Sequence, residues 1–348
     1  MRVLFIPVSA PTGSGEYARS LAIATALRAL KADAEISFAL NRHAPYAAAA
    51  PFPALLLPAS PTFHPREVSA LIRGERPDLV VFDNAGRTAQ LRAARDSGAR
   101  VVYISSRPRQ RRKAFRLKWL PLLDEHWIAW PEFMAGPLSA TERIKMRLGG
   151  HRPTVRFFDT IVPTPSLAES ADAAARFGLQ PERFALVVPG GGGAHPGARE
   201  GPRTMAAAAL RLARNGHPTL LVGPQGNMSD SGSGLRHSPH LPIRDLAALM
   251  ARARVVVANG GDTLLQALSF QRICVAAPLA HDQVGRIRHC SDAGIATGVD
   301  LDEEAVAHAA EELLRDGDRR AHLAARIAER PIRNELDFAV DTLARLAA

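Results

Sequence analysis

Short, wholly apolar runs recur along this chain, each followed by a stretch with helical spacing, and the series occurs twice. In the first half, residues 3–8, 36–40, 79–82, 101–104 and 127–130 read as strands, with helices expected over 16–30, 65–73 and 88–97. Apolar runs without polar alternation belong to strands covered on both faces, as parallel sheets built from β-α-β units require. A second series begins with a strand at 184–188. It continues through strands at 219–222, 255–258 and 273–276, and helices near 203–215, 245–251, 263–270 and 303–315. Two amphipathic helices, near 319–329 and 335–346, close the chain. Between the two series the rhythm is broken by Gly149, Gly150, Pro153, Pro163 and Pro165, where a domain boundary is expected. At 348 residues the chain also exceeds the size at which one core keeps growing. The expected fold class is α/β: two doubly wound, Rossmann-like parallel-sheet domains facing a central cleft. Residues 1–160 form the first and 161–330 the second, and the helix in 331–348 is able to pack back on the first.

Composition narrows the class. With 47% hydrophobic and 22% charged residues the chain is globular, not disordered. No apolar run approaches the roughly 18 residues of a membrane span, and Met1-Arg2 leads straight into a strand instead of a signal peptide. A cytoplasmic location is the expectation. Cys274 and Cys290 are the only cysteines and lack metal-pair spacing, so two buried free thiols are expected. The net charge is +10, and only four of the 44 basic residues are lysine. Such a field favours anionic partners. The one dense cluster is Arg107-Pro-Arg-Gln-Arg-Arg-Lys113, extended by Arg116 and Lys118, with Phe115, Trp119 and Leu120 beside it. The segment from Arg107 to Lys118 suits a solvated helix face or peripheral contact with an anionic membrane. It lacks a recognised nucleic-acid module, and nucleic acid is not an expected partner.

In open parallel sheets ligands bind beyond the carboxyl ends of strands, so the loops there carry most weight. The first strand is followed by Gly13-Ser-Gly15-Glu16-Tyr-Ala-Arg19, whose glycines permit a tight turn and whose Glu16 opens a helix. It lacks the third glycine of the dinucleotide fingerprint. After the first strand of the second half comes Pro189-Gly-Gly191-Gly192-Gly193-Ala194-His195. Consecutive glycines cost chain entropy unless backbone must lie against a ligand, and bare N–H groups there make a pyrophosphate cradle. A third loop, Asn259-Gly260-Gly261-Asp262-Thr263, leads into a helix that carries Gln266 one turn later, on the same face as Thr263. Asp262 and Thr263 suit a helix cap, and the helix start suits an anion. A fourth loop holds Asp282-Gln283, acceptors and donors fit for vicinal hydroxyls. Asp300-Leu-Asp302 reads as a helix cap, so no metal site is expected.

The third and fourth loops, preceded by Leu241-Pro-Ile243-Arg-Asp245, resemble the C-terminal domain of GT-B glycosyltransferases, in the group holding MurG-type transferases, PseG-type hydrolases and UDP-glycosyltransferases. The glycine run and the Gly13–Arg19 segment resemble the group's glycine-rich loop and its N-terminal Gly-x-Gly-His-x-x-Arg. The resemblance implies a nucleotide-diphospho sugar as co-substrate, with uridine the favoured base and no separate cofactor. It places the base near Ile243, the ribose at Gln266, the pyrophosphate at Gly191 to Ala194 and Gly261 to Thr263, and the sugar at Asp282 and Gln283, with Gly13, Gly15 and Gly260 also among the nucleotide-sugar-binding residues. Two positions depart from the pattern: Gln266 stands where Glu is usual, and Glu16 where His is usual.

The implied function is metal-independent, inverting transfer of a sugar to a hydroxyl acceptor. Glu16, or alternatively Asp83 at the end of its strand, takes the acceptor proton. A positioned carboxylate can serve as general base. Nucleotide-sugar hydrolysis on the same scaffold and a catalytically silent sugar-nucleotide binder are the alternatives.

Overall fold

The computed structural model of the chain describes residues 1–11, 13–150, 152–190, 200–224 and 234–347. The chain divides into two compact units, Met1–Ile161 with Glu335–Ala348, and Val162–Asn334.

The first unit is built on seven parallel strands: β1 (Arg2–Pro7), β2 (Glu35–Asn41), β3 (Ala54–Leu57), β4 (Leu79–Asp83), β5 (Arg100–Ser105), β6 (Glu125–Ile128) and β7 (Thr154–Phe157). Their order is β3-β2-β1-β4-β5-β6-β7. Side chains alternate across the pleat, so one strand serves two cores. Val3 and Phe5 join Phe38, Trp127 and helix Gly15–Leu30 on one face, where the closing helix Leu336–Leu346 also packs through Ala339, Val340 and Leu343. Leu4 and Ile6 join Phe82, Tyr103 and Trp119 on the other, under helices Pro65–Glu75 and Thr88–Asp96. β3 and β7 lie outside the runs expected as strands, as does helix Ala140–Leu148, which a Ser139–Glu142 capping box starts.

The second unit has six parallel strands: β8 (Ala185–Val188), β9 (Thr219–Val222), β10 (Arg236–Ser238), β11 (Val255–Asn259), β12 (Ile273–Ala277) and β13 (Thr297–Gly298). They are ordered β10-β9-β8-β11-β12-β13. Each sheet therefore reverses direction beside its first strand, between β1 and β4 and between β8 and β11, the switch point where doubly wound sheets open a crevice. The chain after β12 is helical: His281–Asp292 places Asp282 and Gln283 in a first turn instead of the expected loop. Asp302 caps helix Glu303–Arg315, accepting from Ala305 N at 2.9 Å, so Asp300-Leu-Asp302 does supply a cap. Cys274 and Cys290 are buried free thiols. No helix among the described residues is long and apolar enough to cross a membrane.

The three apolar residues named beside the basic segment are not available to a membrane. Phe115, Trp119 and Leu120 are 1%, 2% and 0% exposed, packed into the core under helix Pro108–Ala114. Their apolar surface is consumed by the fold, which removes the insertion half of that expectation.

Candidate functional site

At the switch point of the first unit, β1, β4 and β5 deliver one polar cluster. Gly13 takes the left-handed φ of +82° ahead of helix Gly15–Leu30, and Glu16 and Arg19 stand in the first turns of that helix. Arg19 reaches the end of β4 and grips Asp83 with a two-pronged fork, Nε to Oδ2 and Nη2 to Oδ1, both 2.8 Å. The pair is enclosed, with side-chain exposures of 6% and 0%. Asp83, named above as an alternative base, thus has both oxygens held by a guanidinium and no surface open to a substrate.

Asn84 follows with φ +52°, a left-handed conformation that Asn tolerates better than most residues. The turn points its amide across the cluster. Its Nδ2 donates to Glu16 Oε1 at 3.0 Å and also to Ser106 Oγ, while its Oδ1 accepts from Ser106 N at 2.8 Å. Arg107 Nη2 donates to the same Glu16 oxygen at 2.8 Å. Glu16 is thereby fixed through Oε1, and its Oε2 has no partner among the described residues. With 13% side-chain exposure it remains reachable. Trp130 Nε1 closes the far side on Ser106 O at 2.6 Å. Neither Asn84, Ser106 nor Arg107 was expected to support Glu16. The one local signal is Asn84-Ala-Gly86 after a buried strand, a turn that only an Asx or Gly residue accommodates easily.

In the second unit the carboxyl ends of β8 and β11 are joined by one side chain. Asn259 Nδ2 donates to Pro189 O at 2.6 Å, and Asn259 Oδ1 accepts from Gly261 N at 2.7 Å. The close fit leaves no room for a Cβ at Gly190, which would lie 2.2 Å from Asn259 Nδ2, nor at Gly261, 2.6 Å from Asn259 Oδ1. Gly190 also has φ +88°. Gly190→Ala is therefore expected to lower unfolding stability by about 1–3 kcal/mol, from left-handed strain and a displaced Asn259. A urea midpoint equal to wild type would show that the tie between these loops does not matter.

Helix Asp262–Ser269 starts immediately after this turn, with Gly261 as its N-cap. Gln266 lies one turn in, 9% exposed, and its amide has no hydrogen-bond partner among the described residues. The amide is not sealed in the core, so its donor and acceptor are open to a polar ligand. Gln283 and Asp282 diverge. Gln283 Oε1 accepts from Leu279 N at 2.8 Å, and its Cβ lies against Gly260. Asp282 turns outward, 62% exposed, and accepts from Arg286. Ile243 opens helix Ile243–Met250, which ion pairs Arg244–Glu169 and Arg176–Asp245 tie to helix Leu167–Ala175. Gly191, Gly192, Gly193 and Ala194 lie outside the described residues.

No protein-family model matches the chain, and no curated protein matches it. Solved structures do. SnogD, a glycosyltransferase from Streptomyces nogalater, superposes with a TM-score of 0.65 at 18% identity, over 100% of this chain and 99% of that one. The glycosyltransferase VinC, in complex with dTDP, gives 0.61 at 15% identity, over 100% and 99%. SsfS6 of Streptomyces sp. SF2575, a glycosyltransferase complexed with thymidine diphosphate, gives 0.62 at 16%, over 99% of each chain. Similarity over the whole length of both chains, with two parallel doubly wound sheets of seven and six strands, identifies the fold as GT-B.

Proposed function

We propose that the protein is an inverting glycosyltransferase that takes its sugar from a pyrimidine nucleoside diphosphate. The observation that carries the reading is the switch point of the second unit. There Asn259 draws the Gly190 and Gly261 turns together, and helix Asp262–Ser269 opens beside them with the Gln266 amide one turn in, without a hydrogen-bond partner among the described residues. Such a helix start supplies N–H groups and a partial positive charge, which suit a diphosphate. The amide of Gln266 suits a ribose hydroxyl.

In this reading the first unit supplies the base. The acceptor hydroxyl gives its proton to Glu16 Oε2 as its oxygen bonds to the anomeric carbon. The bond from that carbon to the diphosphate oxygen breaks, and the electron pair leaves with the diphosphate. The start of helix Asp262–Ser269 meets the charge that develops there, which assigns the leaving group to backbone donors and not to a metal. Glu16 stands where the resembling family carries His, and Asn84 and Arg107 give the carboxylate the fixed orientation that a base needs. Gln283 serves the donor through its remaining NH₂, since its carbonyl is committed to Leu279.

The base of the nucleotide is open between two pyrimidines. The sequence resemblance favours uridine, whereas VinC and SsfS6 carry thymidine diphosphate. A thermal-shift titration with dTDP and UDP tests both. At 100 times its dissociation constant the bound nucleotide should add about 2.7 kcal/mol of stability. The absence of a shift with any nucleoside diphosphate would overturn the assignment.

A further inference from the structure

Two cations of the basic segment are matched by carboxylates, and three others, on a different face, are not. Arg107 and Arg111, four residues apart, are neutralised. Arg107 holds Glu16, and Arg111 forks onto Glu142 with Nε and Nη2 both at 2.9 Å. Arg109 and Lys113 share another face of helix Pro108–Ala114 at the same spacing, and Arg116 continues it into the following turn, its N bonded to Lys113 O at 3.1 Å. None of these three has a carboxylate within ion-pair distance among the described residues.

A fourth cation joins them from the neighbouring loop. The segment is stitched across the Asn84–Thr88 connection at both ends, by Gln110 Nε2 on Asn84 O at 3.4 Å and Trp119 Nε1 on Thr88 Oγ1 at 2.9 Å. Arg87, between those two anchors, is thereby held beside the helix, its own Nε on Thr62 O at 3.1 Å. It too has no acidic partner among the described residues. The buried Phe115 and Trp119 make the arrangement a rigid part of the fold, not a mobile tail.

We propose that Arg87, Arg109, Lys113 and Arg116 form a binding site for a phosphoryl group, a phosphomonoester or diphosphate. Four like charges held together without counter-charge repel one another, and a multiply charged anion relieves that repulsion with several charge-assisted bonds at once. Lys113 shows the strain. Half-buried, it is pulled below the ordinary lysine range first by desolvation and then by the charges of Arg87, Arg109 and Arg116. The guanidinium planes offer paired donors matched to phosphate oxygens. Binding of the anion needs nothing from the donor site. Where the function proposed above holds, the site follows β4 and β5 at the same sheet end as Glu16 and selects an acceptor that carries phosphate.

The test is calorimetric titration of inorganic pyrophosphate into the full chain and into the R109Q/K113Q/R116Q variant. The substituted residues are surface groups outside the core, and an unchanged melting temperature checks the fold. The variant should bind pyrophosphate roughly 10- to 100-fold more weakly. Its thermal shift with dTDP or UDP should stay at the wild-type value, so failure of this site and failure of the donor assignment are read separately. A second arm measures co-sedimentation with phosphatidylcholine vesicles with and without phosphatidic acid. Retention on phosphatidic acid that is lost in the variant assigns the phosphoryl group to a lipid headgroup; loss confined to pyrophosphate assigns it to a soluble ligand. Equal binding of both probes by wild type and variant overturns the site. Preferential binding of an RNA oligonucleotide over pyrophosphate, with a steep salt dependence, does so as well.

Discussion

Glu16→Gln should lower sugar-transfer turnover by about 100- to 10,000-fold, the range expected for one positioned general base. Binding of the nucleoside diphosphate should stay within error of wild type, because Glu16 belongs to the first unit and the proposed diphosphate residues to the second. The substitution keeps the shape of the side chain and one carbonyl oxygen. The Asn84 amide can still donate to it at the distance seen for Glu16 Oε1, 3.0 Å, so the fold around β4 should survive. What disappears is the oxygen that is not engaged, the one able to take a proton. The split between turnover and binding distinguishes a base from a residue that only shapes the loop, since a loop defect would move both. The comparison is single-turnover kinetics against the dTDP or UDP thermal shift. Near-normal turnover would remove Glu16 from the mechanism.

Sequence alone exposed those parts of this molecule that depend on neighbours along the chain. The central strands were legible because strands covered on both faces are apolar at every position, as in Leu79–Asp83 up to Phe82 and Val255–Asn259 up to Ala258. Edge strands have no such requirement. β10 reads Arg-His-Ser and β13 is two residues long, while the Ala54–Leu57 run of β3 sits among prolines that read as loop. Helix His281–Asp292 buries only Ile287 and Cys290, so its polar sequence gave no amphipathic stripe and Asp282-Gln283 looked like a loop. The glycine turns, Gln266 and Glu16 were visible as local motifs. Their supports were not, because contacts across a parallel sheet join distant residues: Asn259 meets Pro189 seventy positions away, and Arg19 meets Asp83 sixty-four away. The basic run shows the same division. Its charge is plain in the sequence, but only the folded chain separates Arg107 and Arg111, matched to Glu16 and Glu142, from the cations that face no acid.

Asp83→Asn should cost about 3–5 kcal/mol of stability, the usual penalty for leaving one member of a buried ion pair without its partner. Arg19 is 6% exposed and cannot turn to water without opening the packing between helix Gly15–Leu30 and the sheet. An asparagine oxygen can replace one of the two 2.8 Å contacts, but it carries no charge, and its NH₂ faces a second donor. The neighbouring Tyr103 reports the buried charge: its phenol is pushed up first by burial and then by Asp83. Through Arg19 the pair fixes the first turns of the helix that carries Glu16, so Asp83 acts on the site by position. The expected result is a lower urea midpoint, with turnover of the remaining folded fraction reduced far less than in Glu16→Gln. A variant as stable as wild type yet without turnover would reverse the assignment, making Asp83 the base and Glu16 its support.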